Sequence, residues 1–330
     1  MSLTHKFLNI ALPLVTLIVL PIITVPFLFF KLVLSVKKLV CIENLTRKVV
    51  LITGSASGIG EQLAYEYAKR GAVLSLVDVR EDNLKAVADK ARSLGSPDVI
   101  TIVADVSKVE NCKRFVDETV NYFGHSKLFS LQLCLQWIPS AGTVMVEKLE
   151  DCIDISVPRP IMDVNFWGAL YGTLFAIPHL KRSRGKIVVI ASGLGWYPLP
   201  RLGYYNASKA AIINFFETLR TELGWAIGFT IVSPGFIKTD LSKRILASEA
   251  SLRLFPMASA EECAKAVVQG VCRGDLYVTY PLWVRLGFPL KVIFPELVDW
   301  LHRLVFRIST NAFENKENLN LSQNSQLKAE

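Results

Sequence analysis

Short apolar runs alternate with helix-like segments between residues 46 and 280, and this alternation constrains the fold more than any other feature. The runs KVVLITG, AVLSLVDV, VITIVADV, KIVVIAS and FTIVSPG are continuous and rich in β-branched residues, as is typical of strands that are buried on both faces. Stretches such as EQLAYEYAKRG and NLKAVADKARSLG separate them. The pattern predicts an α/β fold with one doubly wound parallel sheet and helices on both of its faces.

The turn that follows the first run, TGSASGIG, lies between a predicted strand and a predicted helix and contains three glycines. Glycines allow a tight turn and let a pyrophosphate approach backbone N–H groups at the positive end of a helix. The context therefore predicts a Rossmann domain that binds a dinucleotide. The predicted loop comprises Gly54, Ser55, Ser57, Gly58, Ile59 and Gly60.

Two residues near the end of the second run bear on the choice of cofactor. Asp78 comes 18 residues after Gly60, where a carboxylate can accept hydrogen bonds from the adenosine ribose and repel a 2′-phosphate. Asp78 therefore favours NAD, whereas Arg80 could bind such a phosphate and leaves NADP possible. Asp105 and Val106, after the third run, are expected to touch the adenine, although a turn or helix N-cap carboxylate is the alternative for Asp105.

Candidate catalytic residues lie in the segment SGLGWYPLPRLGYYNASK. Tyr205 and Lys209 are separated by four positions and so share one helix face. A nearby ammonium group favours the phenolate and lowers the tyrosine pKa, which suits a general acid/base near neutral pH. Ser192 ends the fifth run, where its hydroxyl could hold a substrate oxygen. Tyr65 and Lys69 have the same spacing, but they fall in the first helix, away from the expected cleft.

These motifs carry a resemblance to a known family. From residue 46 to about 280 the chain resembles a short-chain dehydrogenase/reductase, through TGSASGIG, Asp105, Asn165, Ser192, YYNASK and PGFIKT. The apolar N-terminus, AYEYAKRGA, MDVNFWG, NFFETLR and CRGDLYV are similar to the plant 11-beta-hydroxysteroid dehydrogenase-like proteins, including the oil-body steroleosins. The resemblance implies hydride transfer between NAD(P) and a secondary alcohol or ketone of a lipophilic substrate of the steroid (11-beta-hydroxysteroid-like) type.

The resemblance also implies a role for each matching residue. Tyr205 exchanges a proton with the substrate oxygen, Lys209 binds the nicotinamide ribose and tunes Tyr205, and Ser192 orients that oxygen. Asn165 supports a proton-relay water by distorting its helix. The residues expected to border the nicotinamide are Pro234, Gly235, Ile237 and Thr239, the last of which reaches the carboxamide.

The N-terminus explains the high hydrophobic fraction of 51%. Residues 7–30 contain no charge and are long enough to cross a bilayer. Basic residues follow this stretch, which predicts a cytosolic catalytic domain, and no cleavage site of a signal peptide follows it. Three prolines leave two geometries open, a kinked span or a bent insertion into a monolayer. Residues 1–45 are thus predicted to anchor the chain to the endoplasmic reticulum membrane, a lipid droplet (oil body), or both.

The C-terminal region leaves more alternatives open. Residues 281–310 mix apolar and basic residues, which fits an amphipathic segment on a membrane surface, a lid over the substrate pocket, or plain packing. Residues 311–330 are polar and predicted to be disordered. The net charge of +8 comes without a basic run interleaved with aromatics, so no nucleic-acid partner is expected, whereas a homodimer is possible. The six cysteines and four histidines show no metal-binding spacing.

One stretch, KLFSLQLCLQWIPSAG at 127–142, departs from the pattern. Its alternation of apolar and polar residues suits a half-exposed strand better than a central one. Ala141 and Gly142 correspond best to the usual end of the fourth strand, with Ser140 where the family has asparagine, and residues 125–140 are predicted to form an irregular insertion. The alternatives are a tolerated insertion with a re-registered strand, a weakened sheet, or a splicing or gene-model error. A weakened sheet would favour another function, that of a weakly active or inactive cofactor-binding protein on a lipid surface.

Overall fold

The computed structural model describes residues 22–30, 43–124, 135–147 and 158–308, with the single positions 11, 15, 19, 154 and 156. A seven-stranded parallel sheet forms the centre of the domain, in the order β3-β2-β1-β4-β5-β6-β7. Its strands are β1 (Val49–Thr53), β2 (Val73–Asp78), β3 (Val99–Val103), β4 (Leu135–Pro139), β5 (Lys186–Ile190), β6 (Gly228–Pro234) and β7 (Tyr277–Tyr280). The predicted doubly wound α/β fold is confirmed.

Helices connect the strands and cover both faces of the sheet. They are α1 (Gly58–Ala68), α2 (Glu81–Ser93), α3 (Val109–Gly124), α4 (Arg159–Met162), α5 (Gly168–Ser183), α6 (Gly203–Leu223), α7 (Asp240–Ser248), α8 (Ala260–Arg273), α9 (Gly287–Ile293) and α10 (Pro295–Val305). A π-helical segment, Asp163–Trp167, joins α4 to α5, and 3₁₀ turns cover Gly193–Gly195, Ala250–Leu254 and Leu282–Leu286.

Two apolar cores hold the helices against the sheet. One core lies between the sheet and α1, α2 and α8, and includes Leu63, Leu84 and Val267. The other lies between the opposite face and α3, α5 and α6, and includes Phe115 and Phe216. Every residue of β1 and β2 is buried, as the continuous apolar runs predict for strands covered on both faces.

Strand β4 corrects one expectation. It pairs with β1 along its whole length and with β5 at two positions, so it lies at the centre of the sheet. The expectation of a half-exposed strand is wrong, because Gln136 is completely buried and accepts a hydrogen bond from the hydroxyl of Tyr67 at 3.0 Å. The remainder of the predicted insertion, residues 125–134, lies outside the described residues.

A charged cluster fixes the start of the domain to the edge where the strands begin. The carboxylate of Glu43 pairs with both Lys48 and Lys186, and its backbone N–H donates to the carbonyl of Cys272 at 3.1 Å. Burial alone would raise the pKa of Glu43, but the two lysines outweigh it and hold the pKa below its usual value. The chain therefore enters the domain through a firmly bound residue.

The two terminal regions are described only in part. Residues 22–30 are helical, and apolar side chains such as Ile23 and Phe29 are exposed on them. Within the described ranges, we find no helix that combines the length and the apolar character needed to cross a membrane. Most of the predicted anchor, residues 1–45, and the whole polar tail, residues 311–330, lie outside those ranges.

Candidate active site

A cavity of about 810 Å³ opens at the edge of the sheet where the strands end. Parallel α/β sheets bind their ligands at this edge. Of the predicted site residues, Gly54, Ser57, Gly58, Ile59, Gly60, Asp78, Arg80, Asp105, Val106, Ser192, Tyr205, Lys209, Pro234, Gly235, Ile237 and Thr239 line the cavity. Ser55 and Asn165 lie behind its wall, where the Ser55 hydroxyl donates to the Val77 carbonyl at 3.2 Å.

The glycine-rich turn can be formed only by glycines at its key positions. Gly54 and Gly58 have φ values of +65° and +61°, which other residues rarely adopt. A Cβ on Gly60 would overlap the carbonyl oxygen of Gly54. Ser57 precedes α1 but its side chain does not cap the helix. The turn thus leaves space and an uncapped helix end, and it fits the pyrophosphate of a dinucleotide.

Asp78 and Arg80 form a compact pair beside this turn. Arg80 donates to the Asp78 carboxylate through Nε at 3.0 Å and through Nη2 at 3.1 Å, and Nη2 also donates to Ser57 Oγ at 2.9 Å. The N–H of Ala56 donates to the same carboxylate at 3.1 Å. Burial acts to raise the pKa of Asp78, but these hydrogen bonds prevail and hold the pKa below its usual value. Asp78 therefore stays ionised while Arg80 neutralises part of its charge.

Asp105 acts as a turn carboxylate, which the sequence left open as the alternative to an adenine contact. Its Oδ1 accepts a hydrogen bond from the N–H of Ser107 at 2.9 Å, as in a turn that precedes a helix. Its side chain nevertheless lines the cavity, as does that of its neighbour Val106. The absence of a side chain at Gly168 lets the helix approach Val106 closely, since a Cβ there would lie 2.8 Å from the Val106 side chain.

Tyr205 and Lys209 lie on the buried face of α6. Lys209 Nζ donates to the carbonyl of Ile190 at 3.1 Å and lies 5.8 Å from the centre of the Tyr205 ring. Burial lowers the pKa of Lys209 to about 8. Burial raises the pKa of Tyr205, and a hydrogen bond with Ser192 offsets this only in part. The direction is opposite to the predicted lowering by Lys209, because in this geometry desolvation of the phenolate outweighs the other effects.

Ser192 is positioned by the end of β5. Its backbone is extended, and its Oγ accepts a hydrogen bond from the N–H of Leu194 at 3.1 Å in the following 3₁₀ turn. The accepting role leaves the hydroxyl proton free to point elsewhere, and the same side chain bonds to Tyr205. Ser192 and Tyr205 thus present two hydroxyls to one point of the cavity wall.

Asn165 lies in the π-helical segment, so the predicted helix distortion is present. Its Oδ1 accepts from the N–H of Thr143 at 2.7 Å, and its Nδ2 donates to the Thr143 carbonyl at 3.0 Å and to Ser208 Oγ at 2.9 Å. Ser208 Oγ in turn donates to the carbonyl of Tyr205 at 2.8 Å. Asn165 therefore ties the segment after β4 to the catalytic helix. Sequence reasoning missed Thr143 and Ser208, although Ser208 shares a helix face with Tyr205.

The sequence profile described as short chain dehydrogenase matches residues 48–250. The chain belongs to the short-chain dehydrogenase/reductase family. It is 44% identical over 326 residues to the 11-beta-hydroxysteroid dehydrogenase 1A of Arabidopsis thaliana. That alignment covers 95% of this chain and 91% of the relative. It is 49% identical over 301 residues to the 11-beta-hydroxysteroid dehydrogenase-like 4A of the same plant. That alignment covers 90% of this chain and 98% of the relative.

Solved structures agree with this assignment at the level of the fold. A short-chain dehydrogenase/reductase from Burkholderia phymatum in complex with NAD superposes with a TM-score of 0.68 at 24% identity, covering 77% of this chain and 96% of that one. The family and the site together identify the chain as an NAD(P)-dependent oxidoreductase that acts on CH–OH donors.

In this dehydrogenase, the motif PGFIKT, which is predicted to border the nicotinamide, lines the cavity. Pro234 ends β6, and the N–H of Gly235 donates to the Tyr280 carbonyl at 2.9 Å. Thr239 caps α7 by accepting from the N–H of Ser242 at 3.2 Å. Its methyl carbon would lie 3.1 Å from a Cβ on Gly58, so the motif packs directly against the glycine-rich turn.

The outer part of the dehydrogenase cavity is apolar and was not predicted from the sequence. Its lining includes Tyr197, Leu199, Phe236, Phe255, Trp283, Val284, Leu286 and Leu290. The last four belong to the segment 281–310, so part of this segment lines the cavity, which favours the lid among its three alternatives. Lys291 fastens it by donating to the carbonyl of Trp196 at 2.6 Å, and the rings of Tyr197 and His302 meet edge to face at 5.3 Å.

Proposed function

We propose that this dehydrogenase transfers a hydride between NAD(P) and a secondary alcohol or ketone of a lipophilic, steroid-like substrate. One observation carries the proposal: the hydroxyls of Ser192 and Tyr205 face a cavity of about 810 Å³ whose outer part is apolar. The same cavity must also hold the dinucleotide at the glycine-rich turn and Asp78. The substrate therefore occupies the apolar outer part, which suits a lipophilic ligand with few polar groups to orient it. The names of the plant relatives support the steroid class.

Different residues of the chain bind the substrate, transfer its proton and hold the cofactor. A nicotinamide cofactor held in the cavity would supply the hydride acceptor for oxidation and the hydride donor for reduction. Ser192 holds the substrate oxygen, and Tyr205 takes its proton in one direction and gives it back in the other. Lys209, with a pKa of about 8, is mostly protonated at neutral pH and supplies a positive charge beside the phenol. The glycine-rich turn, Asp78 and Thr239 hold the cofactor.

The test is turnover by the full-length protein in lipid vesicles, with a panel of hydroxysteroids and either oxidised cofactor. Tyr205→Phe should abolish turnover and leave cofactor binding intact. Tyr65→Phe is the matched control, since Tyr65 has the same spacing to a lysine but bonds to Glu61 on α1, away from the cavity. An absence of turnover across the panel, with cofactor bound, would contradict the proposal.

The alternative function, a weakly active or inactive cofactor-binding protein, depended on a disrupted fourth strand. β4 pairs with β1 at every position, and Ser140 N–H bonds to Thr53 Oγ1 at 3.3 Å. The segment after β4 is also held by Asn165. These contacts favour an active enzyme, and the Tyr205 experiment separates the two functions.

We also propose that NAD is the preferred cofactor. The ionised carboxylate of Asp78 ends β2 at the cavity, where it suits ribose hydroxyls and opposes a 2′-phosphate. Arg80 reduces this opposition because it is paired to the same carboxylate. The affinity for NAD should therefore exceed the affinity for NADP by a limited factor.

We propose further that residues 7–30 anchor the chain to the endoplasmic reticulum membrane or a lipid droplet, with the domain in the cytosol. The uncharged sequence and the basic residues after it support this orientation. The chain contains its own reporter, since Asn44-Leu45-Thr46 and Asn320-Leu321-Ser322 are glycosylation sequons. Synthesis with microsomes should give no glycosidase-sensitive mass shift. A shift removed by Asn320→Gln would place the domain in the lumen and contradict the orientation.

A further inference from the structure

A third apolar core packs behind the outer part of the cavity, apart from the two cores that hold the sheet. Its buried residues are Leu199, Leu202, Ile245, Leu252 and Phe306, with Val144 and Val146 partly buried against them. They come from four segments, which we call the wall segments: 140–147 after β4, 193–202 before α6, 236–255 after β6, and 281–308 at the C-terminal side. Among the described residues, no strand contributes to this core. The wall segments therefore depend on contacts with one another.

Each of the wall segments also lines the cavity. Thr143, Tyr197, Ile245 and Leu290 are examples, one from each segment. The positions of these segments therefore set the width and the shape of the apolar outer part, which the proposed substrate occupies. A residue that joins the segments can act on the fit of the substrate without touching it.

Arg201, in the second wall segment, bonds to each of the other three. Its backbone carbonyl accepts a hydrogen bond from the N–H of Glu147 at 2.9 Å. Its guanidinium pairs with the carboxylate of Glu249 through Nη1 and donates to the carbonyl of Phe306 through Nη2 at 3.1 Å. Within the described residues, the lining of the cavity does not include Arg201. Arg201 thus connects the wall segments from behind.

Glu249 is a buried carboxylate that requires such a partner. It is 3% exposed, and its Oε1 accepts a hydrogen bond from the N–H of Ser251 at 3.1 Å, at the start of a 3₁₀ turn. Burial acts to raise the pKa of Glu249, but the bonds with Ser251 and Arg201 outweigh it and hold the pKa below its usual value. Glu249 therefore stays ionised, and an arginine is a partner that stays charged with it.

The backbone of Arg201 supports a specific role for its side chain. Its φ is +64°, in the left-handed region that glycine adopts easily and that is unfavourable for an arginine. A residue held in such a conformation is a reason to look for a function that the surrounding contacts maintain. The guanidinium contacts with Glu249 and Phe306 are the function that the geometry offers.

The catalytic helix is fixed independently of Arg201. On α6, Asn206 Nδ2 donates to the carbonyl of Leu199 at 2.8 Å, and the N–H of Asn206 donates to the carbonyl of Leu202 at 2.8 Å. Lys209 is held by the carbonyl of Ile190. Loss of the Arg201 side chain should therefore leave the catalytic groups in place and release only the outer wall.

We propose that Arg201 is a positioning residue that fixes the wall segments around the outer cavity and so sets the affinity for a bulky, rigid, lipophilic substrate. This role rests on the proposed function. Arg201 touches neither the substrate nor the reacting atoms, and it acts through Glu249 and Phe306. A small alcohol can reach Ser192 and Tyr205 without contacting the outer wall, so its binding does not depend on Arg201.

Amide hydrogen exchange in the full-length protein tests the positioning without requiring turnover. Arg201→Gly removes the guanidinium and suits the backbone at this position, so it separates the side chain from the turn. It should speed exchange in residues 143–147, 249–255 and 302–308 and leave exchange in β1 and β2 unchanged. Arg201→Lys should have a smaller effect, because an ammonium can pair with Glu249 but lacks the second arm of the guanidinium.

Arg273→Ala is the matched control for the exchange experiment. Arg273 also pairs with a carboxylate, that of Asp275 at 2.9 Å, but it ends α8, away from the cavity. Its loss should leave exchange in the wall segments unchanged. Unchanged exchange in Arg201→Gly, or faster exchange throughout the sheet, would overturn the proposal. Should Arg201→Gly not fold, Arg201→Lys and Glu249→Gln provide the same comparison.

A comparison of two substrates links Arg201 to specificity. Arg201→Gly should raise the KM for a hydroxysteroid by about tenfold, as expected for the loss of a hydrogen bond to a charged group. Neither kcat nor the KM for cyclohexanol should change, and Arg201→Lys should recover part of the loss. Equal increases in KM for both alcohols, or a fall in kcat alone, would contradict the proposal.

Glu249→Gln provides the partner variant, since it can keep the bond from Ser251 while it removes the charge. Combined with Arg201→Gly it should add little to the rise in KM, because the two side chains act as one pair. Additive effects would show that Arg201 does not act through Glu249. Should no alcohol be turned over at all, the proposed function fails, while the exchange result still decides whether Arg201 positions the wall.

Discussion

The side-chain oxygen of Gln136 accepts a hydrogen bond of 3.0 Å from the hydroxyl of Tyr67, and both side chains are completely buried. The bond joins the central strand β4 to helix α1, which carries the cofactor turn. The bond satisfies the oxygen of Gln136 with an equally buried donor, whereas the amide nitrogen of Gln136 is buried without a partner among the described residues.

Tyr67→Phe should therefore destabilise the protein by about 1–3 kcal/mol, the cost of a buried acceptor left without its donor. Adding Gln136→Leu should recover part of this loss, since both polar groups are then absent. Urea unfolding of the two single variants and the double variant measures the coupling. Additive losses would mean that the two side chains act independently.

Asn165→Ala should lower both stability and kcat, because it removes three hydrogen bonds that connect Thr143 to Ser208. We expect a loss of stability of about 2–4 kcal/mol, given the unpaired buried groups that remain. Asn214→Ala, an exposed position on α6, is the control and should change neither quantity. Full activity in Asn165→Ala would show that the reaction does not depend on Asn165.

Cofactor preference should depend on Asp78. The unmodified protein should bind NADH more tightly than NADPH, and Asp78→Ala should narrow that gap by about tenfold, as expected for a hydrogen bond to a charged group. Arg80→Ala should widen it, because the 2′-phosphate loses a cation. Titration of both reduced cofactors measures these changes, with the exposed Asp82→Ala as control. Tighter binding of NADPH by the unmodified protein would refute the preference.

The pH dependence of stability should reveal Lys209. Its pKa is about 8 in the folded protein, against an ordinary value of 10.5. Between these pH values the unfolded chain binds a proton that the folded chain lacks, so the free energy of unfolding rises with pH. Lys209→Met lacks this contribution, which is on the order of 3 kcal/mol for the full shift.

At pH 7 the Lys209→Met variant should accordingly be the more stable protein, and its advantage should shrink as the pH approaches 10. Denaturant unfolding at several pH values tests this. A difference between the two proteins that does not change with pH would show that burial has not shifted the pKa of Lys209.

The parts of the molecule that the sequence predicted are those determined by local chemistry. Strands β1, β2, β3, β5 and β6 follow from their continuous apolar runs. The turn at Gly54 and Gly60 follows from a backbone that excludes a Cβ. Tyr205 and Lys209 fall together because four positions make one helical turn. In each case a short window of residues contains the physical reason.

The features that the sequence did not reveal depend on distant partners. Gln136 is buried because Tyr67, 69 positions away, supplies its hydrogen bond. The raised pKa of Tyr205 results from burial that several elements create together. The segment 281–310 has the same amphipathic pattern whether it packs, covers a cavity or meets a membrane, so only its place beside Tyr197 and Trp196 identifies it as a cover.

The attachment of Glu43 to Lys48 and Lys186 has a consequence for how the enzyme stands on its support. Glu43 leaves the domain at the edge where strands begin, whereas the cavity rim lies at the edge where they end. Twelve residues, 31–42, separate Glu43 from the proposed anchor at residues 7–30. A chain of that length reaches about 40 Å when extended. The length of this linker therefore limits how far the cavity rim lies from the layer that holds the anchor. Shortening the linker would change that distance and leave every catalytic residue in place.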